Sequence, residues 1–318
     1  MNRILVVYNT CGIKSNNTNW YIKCLSSLLE QDFNDYKIVL SSCLNSNECV
    51  EGIKNIFGSK IEYCLHNEAH TVNITFNKAV RDCVKKYGEF DSYLYVDSGC
   101  SFEHTPDLIS KLYESFVREE DTKNGIVYAQ VDTDEALQVL GNRFKYQSSE
   151  IQIRDNDLTI PIGVGINLHV ALFANNIYKR YKRILPDVFA AYCSESTFTF
   201  LAASVGLKNI ILADRQVTHM KAVDGASLCV PHHSPVHRNP WNNLLCSRNA
   251  LEFINDQSAI NSGLGYEECN QIMMHNPDAY EVSGKPKYPE SLQQNIEKYF
   301  FLSETELNYD QMQSTFIN

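Results

Sequence analysis

The sequence predicts an α/β protein whose parallel sheet is covered by helices on both faces. Three observations predict it. β-Branched apolar runs of strand length alternate four times with segments whose apolar residues recur at helical spacing. The chain has 318 residues, 44% hydrophobic and 21% charged, enough to bury a sizeable core in one large domain or two modest ones. The fourth apolar run, inside "SYLYVDSGCSF" (Ser92–Phe102), ends on a carboxylate, Asp97, flanked by small residues. Sheets of this class bind ligands outside the carboxyl ends of their strands, and small neighbours let a bulky ligand approach.

The elements follow in order. Arg3–Tyr8 is a β-branched run bounded by "NTCG" and reads as a strand. In "NWYIKCLSSLLEQ" (Asn19–Gln31) the apolar positions Tyr21 or Ile22, Leu25, Leu28 and Leu29 recur at helical spacing, with Asn19 as the expected cap. "YKIVLSS" (Tyr36–Ser42) is the second strand, "NECVEGIKNIF" a short helix and "KIEYCLH" (Lys60–His66) the third strand. "TVNITFNKAVRDCVKKYG" (Thr71–Gly88) reads as a helix stopped by Gly88. After the fourth strand, "TPDLISKLYESFVREE" is a helix with Thr105 as cap and Pro106 in its first turn.

The alternation then weakens. "GIVYAQV" (Gly125–Val131) is a strand, and "VALFANNIYKRYKRI" and "SESTFTFLAASVG" read as helices. "NIILADRQVTHM" (Asn209–Met220) is a strand that closes on a histidine. The next stretch, rich in Pro, His, Asn and Gly, reads as a long lid-like loop, and the tail from Leu244 as mainly helical.

Composition excludes several classes. A net charge of −10 argues against a general nucleic-acid binder, which needs a basic face. No apolar run reaches the ~20 residues of a membrane span. The first residues lack signal-peptide features, so a cytoplasmic location is the expectation. Eleven cysteines at irregular spacing, without Cys-x-x-Cys, favour reduced thiols over a disulfide framework. "PHHSPVH" (Pro231–His237) has no cysteine or carboxylate at zinc-ligand spacing and reads as a polar loop.

Over about Arg3–Met220, by motif order and not by close identity, the sequence resembles the GT-A fold of glycosyltransferases, most closely the family-2-like inverting group. The resemblance implies a mixed, Rossmann-like sheet flanked by helices, with a C-terminal helical extension. The implied division is a GT-A domain over 1–225, with a nucleotide-binding half of about 1–131 and an acceptor half of about 132–225. A lid-like loop and helical extension would occupy 226–318.

Each motif of the family has a counterpart. "YVDSG" stands at the Asp-x-Asp position, with Asp97 as the first acid and Gly99 where the second would be. The resemblance places Asn9, Thr10, Asn77, Asp97 and Ser98 on the donor nucleotide side. "CSESTFTFLAASVG" is similar to the helix that carries the acidic pair, which puts Glu195 at the catalytic base with Ser194 beside it. "VTH" puts His219 where many members carry a late metal ligand, so the implied metal set is Asp97 and His219. The usual acid after the second strand is replaced by serines in "LSSCLNSN".

The chemistry explains why such residues are needed. Breaking a sugar–phosphate bond leaves extra negative charge on a nucleoside diphosphate, and a divalent cation absorbs it. Hard cations take carboxylate and phosphate oxygens, and a histidine ligand favours Mn²⁺ over Mg²⁺. A carboxylate base takes the proton of the acceptor hydroxyl. The implied function is metal-assisted, inverting transfer from a UDP- or GDP-linked sugar to a glycan or lipid-linked acceptor. The alternative is a non-catalytic relative that binds or scaffolds, favoured by Gly99 and by the serines after the second strand. The basic run "YKRYKRI" (Tyr178–Ile184) reads as a solvated helix face; a lipid-linked acceptor would bring it to an anionic membrane surface.

Overall fold

The structure is a computed structural model that describes residues 3–10, 12–43, 45–67, 72–117, 124–131, 153–154, 157–160, 169–185 and 207–219. In chain order the elements are β1 (Ile4–Asn9), α1 (Thr18–Leu29), β2 (Tyr36–Cys43), α2 (Asn47–Phe57), β3 (Glu62–His66), α3 (Val72–Tyr87), β4 (Ser92–Asp97), β5 (Cys100–Ser101), α4 (Leu108–Val117), β6 (Asn124–Val131), β7 (Ile153–Arg154), β8 (Asp157–Ile160), β9 (Val170–Ala174), α5 (Asn175–Tyr181) and β10 (Lys208–His219). The strands form one sheet in the order β3-β2-β1-β4-β9-β6-β10-β8-β7, with β5 paired to β10.

The alternation of β1 splits the core in two. Leu5 and Val7 point to one face, where Phe76, Ala79, Val80 and Cys83 of α3 cover them. Ile4, Val6 and Tyr8 point to the other, under Leu25 and Leu28 of α1, Ile53 of α2 and Leu108 and Leu112 of α4. Every residue of β1 is buried, so the strand reads as one continuous apolar run. Burial of each such side chain contributes about 1.5–3 kcal/mol.

β1, β2, β3 and β4 are mutually parallel, as the βα alternation requires. Beyond these four strands the sheet is mixed, as the family resemblance implies. β9 runs antiparallel between β4 and β6, which makes the sheet mixed. Val170–Ala174, expected to open a helix, is this strand. All five residues are buried, so the run carries no period to separate strand from helix, and the helix starts only at Asn175.

The caps also differ from expectation. α1 starts one residue before Asn19, and Asn17 does the tying: its Oδ1 accepts from Lys14 N at 2.8 Å and its Nδ2 donates to Gly12 O at 3.0 Å. At α4 the free amide of Ile109 is met by Gln31 Oε1 at 3.1 Å, from the segment after α1. Thr105 offers only its carbonyl, to Leu108 N at 3.1 Å. Gly88 closes α3 at φ 85°, the left-handed stop that the sequence predicts.

Six cysteines lie among the described residues; all are free thiols and five are buried. Burial pushes the thiols of Cys64 and Cys83 up to about 12, which keeps them protonated. No helix among the described residues is long and apolar enough to cross a membrane. The helix expected over "SESTFTFLAASVG", the lid-like loop and the extension over 226–318 lie outside the described residues.

Candidate active site

Register brings two of the predicted donor-side residues, Asn9 and Asp97, together. Asn9 pairs with Ser41 of β2 on one side and with Asp97 of β4 on the other. Neighbouring strands lie about 4.8 Å apart, so the three carboxyl ends form one ledge.

Part of that ledge faces inward. Asn9 is fully buried and its Oδ1 accepts from Thr75 Oγ1 of α3 at 2.9 Å. Ser41 Oγ donates to Thr75 O at 2.9 Å. These two residues therefore form the floor. Thr10 differs. Its amide donates to Ser41 O at 2.9 Å, while its buried hydroxyl has no hydrogen-bond partner among the described residues. Leaving such a group unsatisfied costs about 1–3 kcal/mol, so Thr10 suits a contact with a ligand or water.

Of the two serines at the end of β2 that stand in for an acid, Ser42 belongs to a closed tie. Ser42 Oγ donates to Asn45 Oδ1 at 2.6 Å, and Ile13 N donates to the same oxygen at 3.0 Å. Gly12 N reaches Cys43 O at 2.8 Å. This tie locks the loop after β1 against the end of β2. A polar residue three positions beyond a serine at a strand end is its only trace in the sequence.

Asn77 is drawn away from the ledge. It is buried, its Oδ1 accepts from Ile184 N and Leu185 N at 3.1 Å each, and its Nδ2 donates to Leu185 O at 2.6 Å. These bonds make Asn77 an architectural residue, one that fastens α3 to the chain that leaves α5.

Asp97 stands at the open edge of the ledge, its side chain 28% exposed. Its Oδ1 accepts from Ser98 N at 2.8 Å, a bond that fixes the carboxylate against its own turn. Gly99 follows at φ 101°, and its amide donates to the Tyr8 hydroxyl at 3.4 Å. Burial raises the Tyr8 phenol well above its ordinary value, so it stays neutral beneath the turn. The positive φ explains the glycine: an L-residue with a side chain rarely adopts it.

β5 then pairs antiparallel with β10, setting His219 opposite Cys100 and Thr218 opposite Ser101. The late histidine is thus carried back, in register, to a position three residues past Asp97. Glu195 lies outside the described residues.

One residue at the site was not legible as such. His169 immediately precedes β9, and its carbonyl accepts from Asp97 N at 2.7 Å. Its Nδ1 lies 3.4 Å from Asp97 Oδ2. The available signal was a histidine directly before a five-residue apolar run, a length that suits a strand better than a helix. Among the described residues no group of three or more His, Cys, Asp or Glu stands ready to hold an ion by itself. Asp97 and His169 do supply an oxygen and a nitrogen donor at the open edge. That pair fits a divalent cation whose remaining ligands come with a diphosphate.

The fold is that of GT-A glycosyltransferases. Staphylococcus aureus TarS is similar in structure, with a TM-score of 0.52 at 13% identity over 85% of this chain. The match covers 42% of the TarS chain, so this chain spans less than half of that protein's length. A mannosyltransferase from Pyrobaculum calidifontis aligns over 92% of this chain and 84% of its own at 14% identity, with a TM-score of 0.48. GalNAc-T7 aligns over 86% of this chain and 58% of its own at 10% identity, with a TM-score of 0.49. No protein-family model matches the chain, and no curated protein matches it either.

Proposed function

We propose that this chain is a glycosyltransferase that moves a sugar from a UDP- or GDP-linked donor to a hydroxyl acceptor, with inversion and with a divalent cation on the diphosphate. The observation that carries this reading is Asp97, a partly exposed carboxylate fixed at the carboxyl end of β4, beside Thr10 and above the buried floor of Asn9 and Ser41.

Asp97 holds the cation, with His219 as the late ligand. When bound there, Mn²⁺ in preference to Mg²⁺ would supply positive charge against the negative charge that grows on the leaving diphosphate. Thr10 and Ser98 meet the donor directly, while Asn9 supports the ledge from below. Glu195 takes the proton of the acceptor hydroxyl. Glu195→Gln therefore lowers kcat while donor affinity persists, the sign of an interaction made mainly in the transition state. Wild-type activity falls at low pH as that carboxylate protonates, because the neutral acid accepts no proton. Equal turnover in the variant and the wild type would remove Glu195 from the mechanism.

The acceptor is a glycan or a lipid-linked saccharide. A lipid-linked acceptor places the protein at the cytoplasmic membrane surface, with the exposed Lys179 and Arg180 of α5 toward anionic headgroups.

The turn at Gly99 favours a second reading, a binding module of the same fold that has lost its acidic pair. Thermal unfolding with UDP or GDP, with and without Mn²⁺, followed by a donor-hydrolysis screen, separates the two. A ligand that binds the native state raises its apparent stability. Metal-dependent stabilisation with turnover supports the enzyme, stabilisation without turnover of any donor supports the binding module, and no stabilisation by either nucleotide removes both.

A further inference from the structure

We propose that His169 supplies a further protein ligand of the donor's divalent cation, beside Asp97 and the late His219, in place of the acid that Gly99 excludes. This rests on the reading of Asp97 as the cation's carboxylate.

The spacing is the first ground. His169 Nδ1 stands 3.4 Å from Asp97 Oδ2. Side-chain hydrogen bonds of this kind cluster nearer 2.9 Å, so the pair is loose as a direct bond. Two ligands at right angles around an ion with bonds of about 2.1 Å stand about 3.0 Å apart. The observed gap lies near that value, with room to contract.

The second ground is pre-organisation. β4 and β9 are paired up to Val96 and Val170, so Asp97 and His169 are the next antiparallel partners. The bond from Asp97 N to His169 O at 2.7 Å closes that step. Both side chains thus rise from the end of a central ladder, where the backbone is held more firmly than in a loop. Ser98 N occupies Asp97 Oδ1, which leaves Oδ2 for the histidine side. Access is the third ground. The side chains are 21% and 28% exposed, so a third species can reach both. Gly99 supplies the last ground, since its φ of 101° disfavours any acid at the position where the fold's metal motif has one.

The test is pulsed electron paramagnetic resonance of Mn²⁺ bound with UDP to the full chain, with ¹⁵N-labelled histidine so that imidazole nitrogen is told apart from the nucleotide's. Calorimetry of Mn²⁺ binding accompanies it. We expect histidine nitrogen coupling in the wild type, retained in His219→Gln and lost or reduced in His169→Gln. We also expect Mn²⁺ affinity in the UDP complex to fall roughly 10- to 100-fold in His169→Gln, the range for partners that shape a metal site. Full nitrogen coupling and unchanged affinity in His169→Gln would overturn the proposal while leaving Asp97 as a ligand. If His169→Gln fails to fold, His219→Gln decides: loss of all histidine coupling there overturns the proposal, and its retention supports it. Absence of Mn²⁺·UDP binding in the wild type, or affinity unchanged in Asp97→Asn, overturns the reading of Asp97 and the proposal with it.

Discussion

The two halves of the sheet were built by different routes. β3-β2-β1-β4 is parallel and comes from consecutive βα units, with β4 crossing back over to pair with β1. β9-β6-β10-β8-β7 mixes directions, and β10 pairs with β6, β8 and β5, drawn from segments far upstream. The first half makes a rigid ledge from local rules. The second delivers residues to that ledge from a distance: His169 against Asp97 and the His219 backbone beside Cys100. The proposed reading places the chemistry at the seam, where a residue fixed by regular structure meets residues that only long-range pairing can supply.

The largest test of that comparison is Asp97→Asn. The substitution is nearly isosteric and can keep the bond from Ser98 N, but it removes the charge at the seam. Sugar transfer at saturating donor and Mn²⁺ is expected to fall about 100-fold or more, in the range seen when a catalytic electrostatic partner is deleted. The urea unfolding midpoint is expected to stay close to that of the wild type. Wild-type turnover in this variant would move the reaction off the seam altogether.

Asn77→Ala tests how the halves are joined. Asn77 sits on α3 and bonds the chain at Ile184 and Leu185, just past α5. Its loss leaves buried backbone groups unmatched, and a penalty of about 2–3 kcal/mol is expected in chemical denaturation. UDP affinity of the folded variant is expected to hold. A fall in affinity with stability intact would return Asn77 to the donor side, where the family resemblance first put it.

The same contrast explains what could be read in advance. The helices through α4 were legible because their apolar residues keep a period, and β1 to β4 because each is a short apolar run bounded by polar or turn residues, with punctuation such as Gly88 marking ends. Asp97 was legible because a strand end is a fixed address. His169 was not, because Val170–Ala174 is apolar without a period, and only its partners β4 and β6 make it a strand. The fate of Asn77 was hidden for a related reason: its partners lie more than a hundred positions on, and nothing in "FNKAV" points to them. Ser42 and Asn45 form their tie through side-chain geometry that a change from acid to serine does not announce.

The smallest expected effect concerns Gly99, and it asks whether the missing acid is an accident or a consequence of the turn. Gly99 holds φ 101° between β4 and β5, and its amide rests on the Tyr8 hydroxyl. A side chain there meets the steric cost of positive φ, about 1–2 kcal/mol for an L-residue, and somewhat less for Asp, which tolerates this region better than Ala. Gly99→Ala is therefore expected to lose about 1 kcal/mol in urea unfolding, and Gly99→Asp a similar or smaller amount. If the turn governs, restoring the acid in Gly99→Asp does not tighten Mn²⁺·UDP binding, because a carboxylate there must first strain the backbone that aims Asp97. Calorimetry on the two variants reads this directly. Tighter Mn²⁺ binding in Gly99→Asp with stability unchanged would show that the position is a vacated ligand site, and the seam would then hold its cation by the acid pair without need of the second half.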